Sequence, residues 1–353
     1  MQEKLTVIGC GSTGMATAAW LTKRGFSVTL CDTESQSEDF EIIKKQNGIF
    51  LEGALYEETP FLPERLTVDF NEAVSGAAVL LICVSARRQP EVLELAAPYI
   101  KEGQTLLLIP GNMGSVYFKR KLRELNKGKT VVAEMCGNIW ACRRTAPGKV
   151  LVALPPSAKH IAAYPSGDTQ AALASLAGII EVEASINIIE TTLNSPNVVS
   201  HVAGTILNAV QIERKKEEFA LFEDGLSESF ITCTNKLEAE RNEVLGRMKL
   251  RVLGEPCEKL HRLLMTDPVP AGLEYFKSLK GPSGMDHRYV AEDAACGLAL
   301  LASLARLFGS RAEFAESCLI AAGVINRTDY LCTGRTVEEL GIQDLLPACR
   351  AVS

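Results

Sequence analysis

The chain has 353 residues, of which 47% are hydrophobic and 23% charged, and carries a net charge of −6. That length suggests about two domains, with enough apolar residues for a sizeable core. The acidic balance, without a long basic run, argues against nucleic acid as the main partner, and no apolar stretch reaches the roughly 20 residues of a membrane span. The nearest, at 294–305, is alanine-rich and followed by Arg306. The chain runs almost at once into a strand, which leaves no signal peptide and implies a soluble, cytoplasmic protein. The eleven cysteines are scattered with no C-x-x-C pair, so we expect reduced thiols and no metal site.

In chain order, a short apolar strand at 5–8 leads straight into Gly9, Cys10, Gly11, Ser12, Thr13 and Gly14, a G-x-G-x-x-G sequence. A helical pattern then runs to Arg24 and stops at Gly25, where a C-cap glycine belongs. A second strand at 26–31 ends on Asp32. Strand, glycine turn, helix, strand and acid in this order are the context of a dinucleotide site. Gly9 permits the tight turn, Gly11 admits a pyrophosphate to the backbone, and Gly14 lets helix and strand pack. Ser12 and Thr13 stand at the helix N-terminus, whose free N–H groups and dipole favour phosphate.

Asp32 follows Gly14 by 18 residues, near the spacing of about 20 for an acid that binds ribose hydroxyls. Its charge repels a 2′-phosphate, and Thr33, Glu34 and Ser35 supply no cation to hold one. NAD (NADH) is therefore expected in preference to NADP; the alternative is that Asp32 is a solvated turn residue.

Residues 34–65 read as an excursion, with a polar helix at 38–46 and short strands within 48–55. Apolar runs at 77–84 and 105–109 read as buried parallel strands with a helix at 90–100 between them. Further strands are expected at 130–133, 149–154, 160–164 and 185–191, and a helix at 169–179. Beyond Pro196 the periodicity is helical, at 197–213, 233–250, 256–265, 288–308 and 312–325, and Thr336 with Glu339 forms a capping box for a last helix. The fold expected is α/β: an N-terminal Rossmann-type doubly wound sheet over 1–190, then an all-helical C-terminal domain over 191–353. Such a pair implies a cleft that would hold substrate against a nicotinamide.

In the helical half, Pro196 suits the first helical position, with Asn194 or Ser195 as cap. On a 3.6-residue wheel Asn197, His201, Gly204 and Asn208 fall within an arc of about 60°, beside the apolar stripe Val198, Val202, Ile206 and Val210. This face reads either as a cleft wall bearing a titratable imidazole or as a core histidine with packing asparagines. Asp293 continues into the apolar positions Gly297, Leu300 and Leu304, so its carboxylate needs a partner or a wet site. An imidazole would serve, as would a capping role or a pair with Arg288. Arg288, at the start of that helix, either binds a substrate carboxylate as a fork or is a solvated surface residue. No lysine occurs between Lys159 and Lys215, which leaves His201 as the proton-transfer candidate of that segment.

These segments together resemble the octopine/nopaline (opine) dehydrogenase family over nearly the full length. The resemblance rests on 9–14, Ile109-Pro-Gly-Asn-Met-Gly-Ser, Cys142-Arg-Arg-Thr-Ala-Pro-Gly, Asn197-Val-Val-Ser-His201, Arg288-Tyr-Val-Ala-Glu-Asp293 and Gly334-Arg-Thr-Val-Glu-Glu-Leu-Gly. It implies that His201 is the catalytic histidine, Asp293 its partner and Arg288 the residue for substrate carboxylate; Asn197 and Asn208, on the wheel face of His201, are expected on the substrate side. One departure is Val202, where a related member of the family has proline. The implied reaction is a reductive condensation of an L-amino acid with a 2-oxo acid such as pyruvate. The implied partners are therefore small molecules, with no nucleic acid and no membrane, and a homodimer left open. A 2-oxo acid or ketopantoate-type reductase and a non-catalytic nucleotide-binding regulator are the competing readings.

Overall fold

Leu5, Val7 and Ile8 of β1 (Lys4–Ile8) are all buried, so the strand is covered on both faces, as a parallel central strand must be. In the computed structural model, which describes residues 4–342 and residue 346, the chain divides into two compact units, Met1–Ile188 and Ile189–Ser353.

The first unit continues with α1 (Ser12–Lys23), β2 (Ser27–Cys31), α2 (Ser37–Lys45), β3 (Phe50–Gly53), β4 (Arg65–Thr67), α3 (Phe70–Ser75), β5 (Val79–Ile82), α4 (Gln89–Ala96) and β6 (Thr105–Leu108). Then come α5 (Gly114–Glu124), β7 (Val131–Met135), β8 (Cys142–Ala146), β9 (Lys149–Val152), β10 (Lys159–Ala163), α6 (Thr169–Leu176) and β11 (Val182–Ala184). Eight strands form one sheet in the order β11-β10-β7-β6-β5-β1-β2-β4. All neighbours are parallel except β10 against β7. The order reverses between β1 and β5, and ligands bind beyond the carboxyl ends of strands at such a switch point. Helices cover both faces: Met15, Phe40 and Leu176 lie in one core layer, and Phe70, Val92 and Phe118 in the other. A small sheet, β3-β9-β8, packs over α1, where the Trp140 indole donates to Thr17 Oγ1 at 3.0 Å and meets Trp20 edge-on.

The second unit is built around α8 (Pro196–Leu207), in which every residue from Val198 to Thr205 is buried. It packs on α11 (Glu228–Arg247), α14 (Arg288–Asp293) and α16 (Glu313–Asn326). Two glycines set how close these helices come. A Cβ on Gly204 would lie 2.2 Å from the Phe230 ring of α11, and one on Gly297 would lie 2.8 Å from Val198 Cγ2 of α8.

Three segments differ from the periodicity. The β-branched run expected as a strand at 185–191 instead enters α7 (Ile188–Leu193), and the edge strand β11 comes earlier. The reason is tertiary: the fully buried Glu190 accepts from the Arg251 backbone N–H at 2.7 Å and from its guanidinium at 2.7 and 3.0 Å. The helix expected over 197–213 breaks at Asn208 into α8 and α9 (Ala209–Lys215), because the Asn208 amide caps carbonyls instead of facing outward. The helix expected over 288–308 is α14, a π-helical turn at Ala294–Leu298, and α15 (Ala299–Leu307). Inserted turns of this kind gather at functional sites. At the expected capping box, Glu339 N–H donates to Thr336 Oγ1 at 3.2 Å ahead of α18 (Val337–Leu340).

Replacing Glu190 with alanine removes the charged acceptor of three Arg251 hydrogen bonds. We expect a stability loss of about 1–3 kcal/mol, read as a lower denaturant midpoint at unchanged slope; an unchanged midpoint would show that the pair does not anchor α7.

Candidate active site

The glycine turn is shaped for a phosphate. Gly9 adopts φ +113°, and a Cβ there would lie 2.5 Å from the Cys83 carbonyl oxygen. On Gly14 it would fall 1.6 Å from the Gly9 oxygen, while on Gly11 it would meet nothing within 4 Å. Gly11 caps the twelve-residue helix α1 without a side-chain hydrogen bond to the helix N–H groups. An open space over bare N–H groups at the positive end of a helix fits a dinucleotide pyrophosphate. The Ser12 and Thr13 side chains face their own unit: Ser12 Oγ accepts from Arg144 N at 2.9 Å, and Thr13 Oγ1 accepts from the Asn138 amide at 2.7 Å. Burial, and Asp32 beside it, push the Cys10 thiol up to about 12, which keeps it protonated and inert.

Asp32 is 1% exposed at the end of β2. Its Oδ2 accepts from Cys10 N at 2.6 Å and its Oδ1 from Thr33 N at 2.7 Å. Residues 33–35 supply no cation, but a residue remote in sequence does. Arg88, 56 residues away, brings Nη2 to 2.7 Å from Oδ1 and Nη1 to 3.4 Å from Oδ2. Arg88 lies on the turn between β5 and α4, so only the parallel pairing of β5 with β1 and of β1 with β2 brings it there. Glu134 is a second buried acid of this unit. It accepts from Met113 N at 3.0 Å and Ser115 N at 2.7 Å and holds the loop after β6. The Gln89 amide donates to the Pro110 and Gly111 carbonyls of the same loop at 3.2 and 3.1 Å.

In the helical unit, His201 and Asp293 meet. His201 Nδ1 lies 2.8 Å from Asp293 Oδ2, with the two residues 6% and 7% exposed. With Nδ1–H donated to the carboxylate, Nε2 is the ring nitrogen that can take or give a proton. The Tyr289 ring stacks on the imidazole at 3.6 Å and 14°, and the Arg288 guanidinium carbon lies 5.4 Å from the Tyr289 ring centre. Arg288, Tyr289 and Asp293 all come from α14, and Gly297 beyond it allows the approach to α8. Asn197 is half-buried one turn before His201. Asn208 stands apart, its amide donating to the Gly204 and Gly225 carbonyls at 2.9 and 3.1 Å. Gly204 on that face packs directly against the Phe230 ring. Ser195 is the N-cap residue of α8, and Asn194 instead binds the 251–253 segment.

Sequence reasoning missed Tyr289, although it sits four residues before Asp293 and so shares its helix face. It also missed His261 of α12 (Cys257–Leu264), which is 3% exposed between the Phe222 and Phe230 rings. Its Nδ1 has no hydrogen-bond partner among the described residues. Burial, and to a lesser degree His201 nearby, push this imidazole down to about 4 against the opposing charge of Glu258.

A doubly wound sheet with a dinucleotide turn, followed by a helical unit holding an imidazole–carboxylate pair, defines a nicotinamide-dinucleotide-dependent dehydrogenase. Residues 184–326 match the model for the α-helical domain of NAD/NADP octopine/nopaline dehydrogenase, and residues 5–166 match that for ketopantoate reductase PanE/ApbA. An opine dehydrogenase of Arthrobacter sp. (strain 1C) is 29% identical over 97% of this chain and 96% of its own. Protein ocs of Agrobacterium tumefaciens (strain Ach5) is 22% identical over 96% of each. Octopine dehydrogenase with NADH and L-arginine superposes with a TM-score of 0.70 at 17% identity, covering 98% of this chain and 97% of that one. A ketopantoate reductase of Ralstonia eutropha JMP134 gives 0.61 at 16% identity over 92% and 98%. The chain thus carries a helical domain of the octopine/nopaline dehydrogenase type and is similar to opine dehydrogenases over nearly its full length.

His261 provides a test of the packing behind the site. Its folded value lies below the ordinary 6.5, so the unfolded chain binds the extra proton as pH falls. The stabilising effect of a neutral His261 is complete above pH 6.5 and is lost as pH falls from 6.5 toward 4. We expect the denaturation midpoint of His261→Phe to fall less than that of the parent over this window; equal slopes would place His261 in a solvated site.

Proposed function

We propose that the chain is an opine dehydrogenase, which joins the amine of an L-amino acid to the carbonyl carbon of a 2-oxo acid such as pyruvate, using NADH. The observation that carries this reading is the buried His201–Asp293 pair under Tyr289 and Arg288, in a unit matched by the octopine/nopaline dehydrogenase helical-domain model.

The amine attacks the carbonyl carbon, water leaves, and the imine carbon is reduced as the nitrogen ends with one proton. The nicotinamide, when bound, supplies the hydride; Gly9, Gly11, Gly14 and the α1 N-terminus would hold its pyrophosphate, with Ser12 and Thr13 supporting the turn and Asp32 at the adenosine ribose. His201 Nε2 donates a proton to the carbonyl oxygen so that it departs as water, and withdraws one from the amine in the reverse direction. Asp293 holds the imidazole in the tautomer with Nε2 exposed to the reacting atoms and stabilises the imidazolium. Arg288 holds a substrate carboxylate by its fork, with Asn197 one turn from His201 as a further polar contact. Asn208 serves the bend after α8, so its effect on substrate is through the position of that helix.

The experiment is NADH oxidation with each oxo acid and amino acid singly and in pairs. Turnover only with both substrates is expected. Turnover with the oxo acid alone would favour the ketopantoate-type reading, which the match over 5–166 keeps in view.

We expect His201→Ala to lose about 10²–10⁴-fold in kcat while NADH affinity, measured by protein fluorescence quenching, stays within a factor of about two of the parent, well inside the tenfold that 1.4 kcal/mol represents. Turnover equal to the parent would remove His201 from proton transfer.

A further inference from the structure

We propose that Arg88 decides how the adenosine 2′-position is read, and that its guanidinium lets the site accept a 2′-phosphate as well as a 2′-hydroxyl. The proposal rests on the dinucleotide reading of the first unit and concerns a residue outside the glycine turn.

A carboxylate has about four lone-pair sites, and those of Asp32 are taken. Oδ2 receives Cys10 N and Arg88 Nη1, and Oδ1 receives Thr33 N and Arg88 Nη2. Two of these donors are backbone groups fixed by the strand end. The other two come from a single side chain that is 33% exposed. A ribose hydroxyl can therefore reach Asp32 only by displacing or sharing with Arg88, which places the arginine at the entrance of the ribose subsite.

The same guanidinium sits among donors that suit a phosphate. Arg88 Nη2 lies 3.3 Å from Thr33 Oγ1, and that hydroxyl is 2.9 Å from Ser35 Oγ. Thr33 and Ser35 open the segment after β2, where a 2′-substituent falls in folds of this class. A guanidinium with two hydroxyls beside it presents planar paired donors to a phosphate. Meanwhile the charge of Asp32, which alone would repel a 2′-phosphate, is already offset by its ion pair. Arg88 Nε also meets Glu91 of α4 at 3.1 Å, which together with Asp32 holds the planar guanidinium at this place.

The test needs no nicotinamide and no turnover. Adenosine 2′,5′-bisphosphate and 5′-AMP are titrated into the parent, Arg88→Gln and Arg88→Lys by calorimetry, each variant first checked for its melting temperature. The parent should bind both nucleotides with dissociation constants within about tenfold of one another. Loss of a charge-assisted contact corresponds to roughly 10–100-fold in affinity. Arg88→Gln should therefore shift the ratio against the bisphosphate by about that factor, and Arg88→Lys, which keeps charge but not the fork, by less. NADPH and NADH binding should follow the same ratios. A parent that binds 5′-AMP but excludes the bisphosphate, or an Arg88→Gln ratio equal to the parent's, overturns the proposal and leaves the dinucleotide site standing. If neither nucleotide nor NADH binds, both fall together.

Discussion

A carboxylate taken out of water must find donors, and each unit is arranged around that requirement. Desolvating an unpaired acid costs several kcal/mol, which no single apolar contact offsets. Asp32 is met by two backbone N–H groups and Arg88, Glu134 by the N-terminal turn of α5, Glu190 by Arg251, and Asp293 by His201. Each pairing joins residues remote in sequence and so fixes where a helix or loop ends. Glu190 holds α7 to the 251 segment; Glu134 shapes the loop after β6; Asp293 holds α14 on α8.

The last pairing is a structural necessity that the proposed function also uses. A buried aspartate that needs a donor and a histidine that needs orientation satisfy each other at 2.8 Å. The approach depends on small residues as much as on the polar pair, since a side chain at Gly297 would meet Val198. Tyr289 stacks on one face of the imidazole, which adds to the carboxylate in orienting the ring. Preorganisation of this sort is what the proton transfer proposed for His201 requires.

In the first unit the same requirement reshapes what the acid at the end of β2 means. Taken alone, such an acid signals ribose recognition and exclusion of phosphate. Paired with Arg88, its charge is offset and its lone pairs are occupied, so the preference between the two dinucleotides belongs to the pair.

Much of this was legible in the sequence because the signals are local. The glycine turn, the strand before it and the helix after it are set by backbone sterics within about 25 residues, and Gly9 and Gly14 occupy the tight positions their spacing implies. The apolar runs of β5 and β6 announced buried parallel strands. The Asp293 position in an apolar stripe announced that it needed a partner. What only the tertiary structure decided was which remote group each polar residue met. Arg88 reaches Asp32 through strand pairing, Phe230 packs directly against Gly204, Asn208 turns inward to carbonyls, and Glu190 draws a β-branched run into a helix. Helix and strand periods report which face is apolar, whereas the donor that a buried charge finds depends on how distant segments pack.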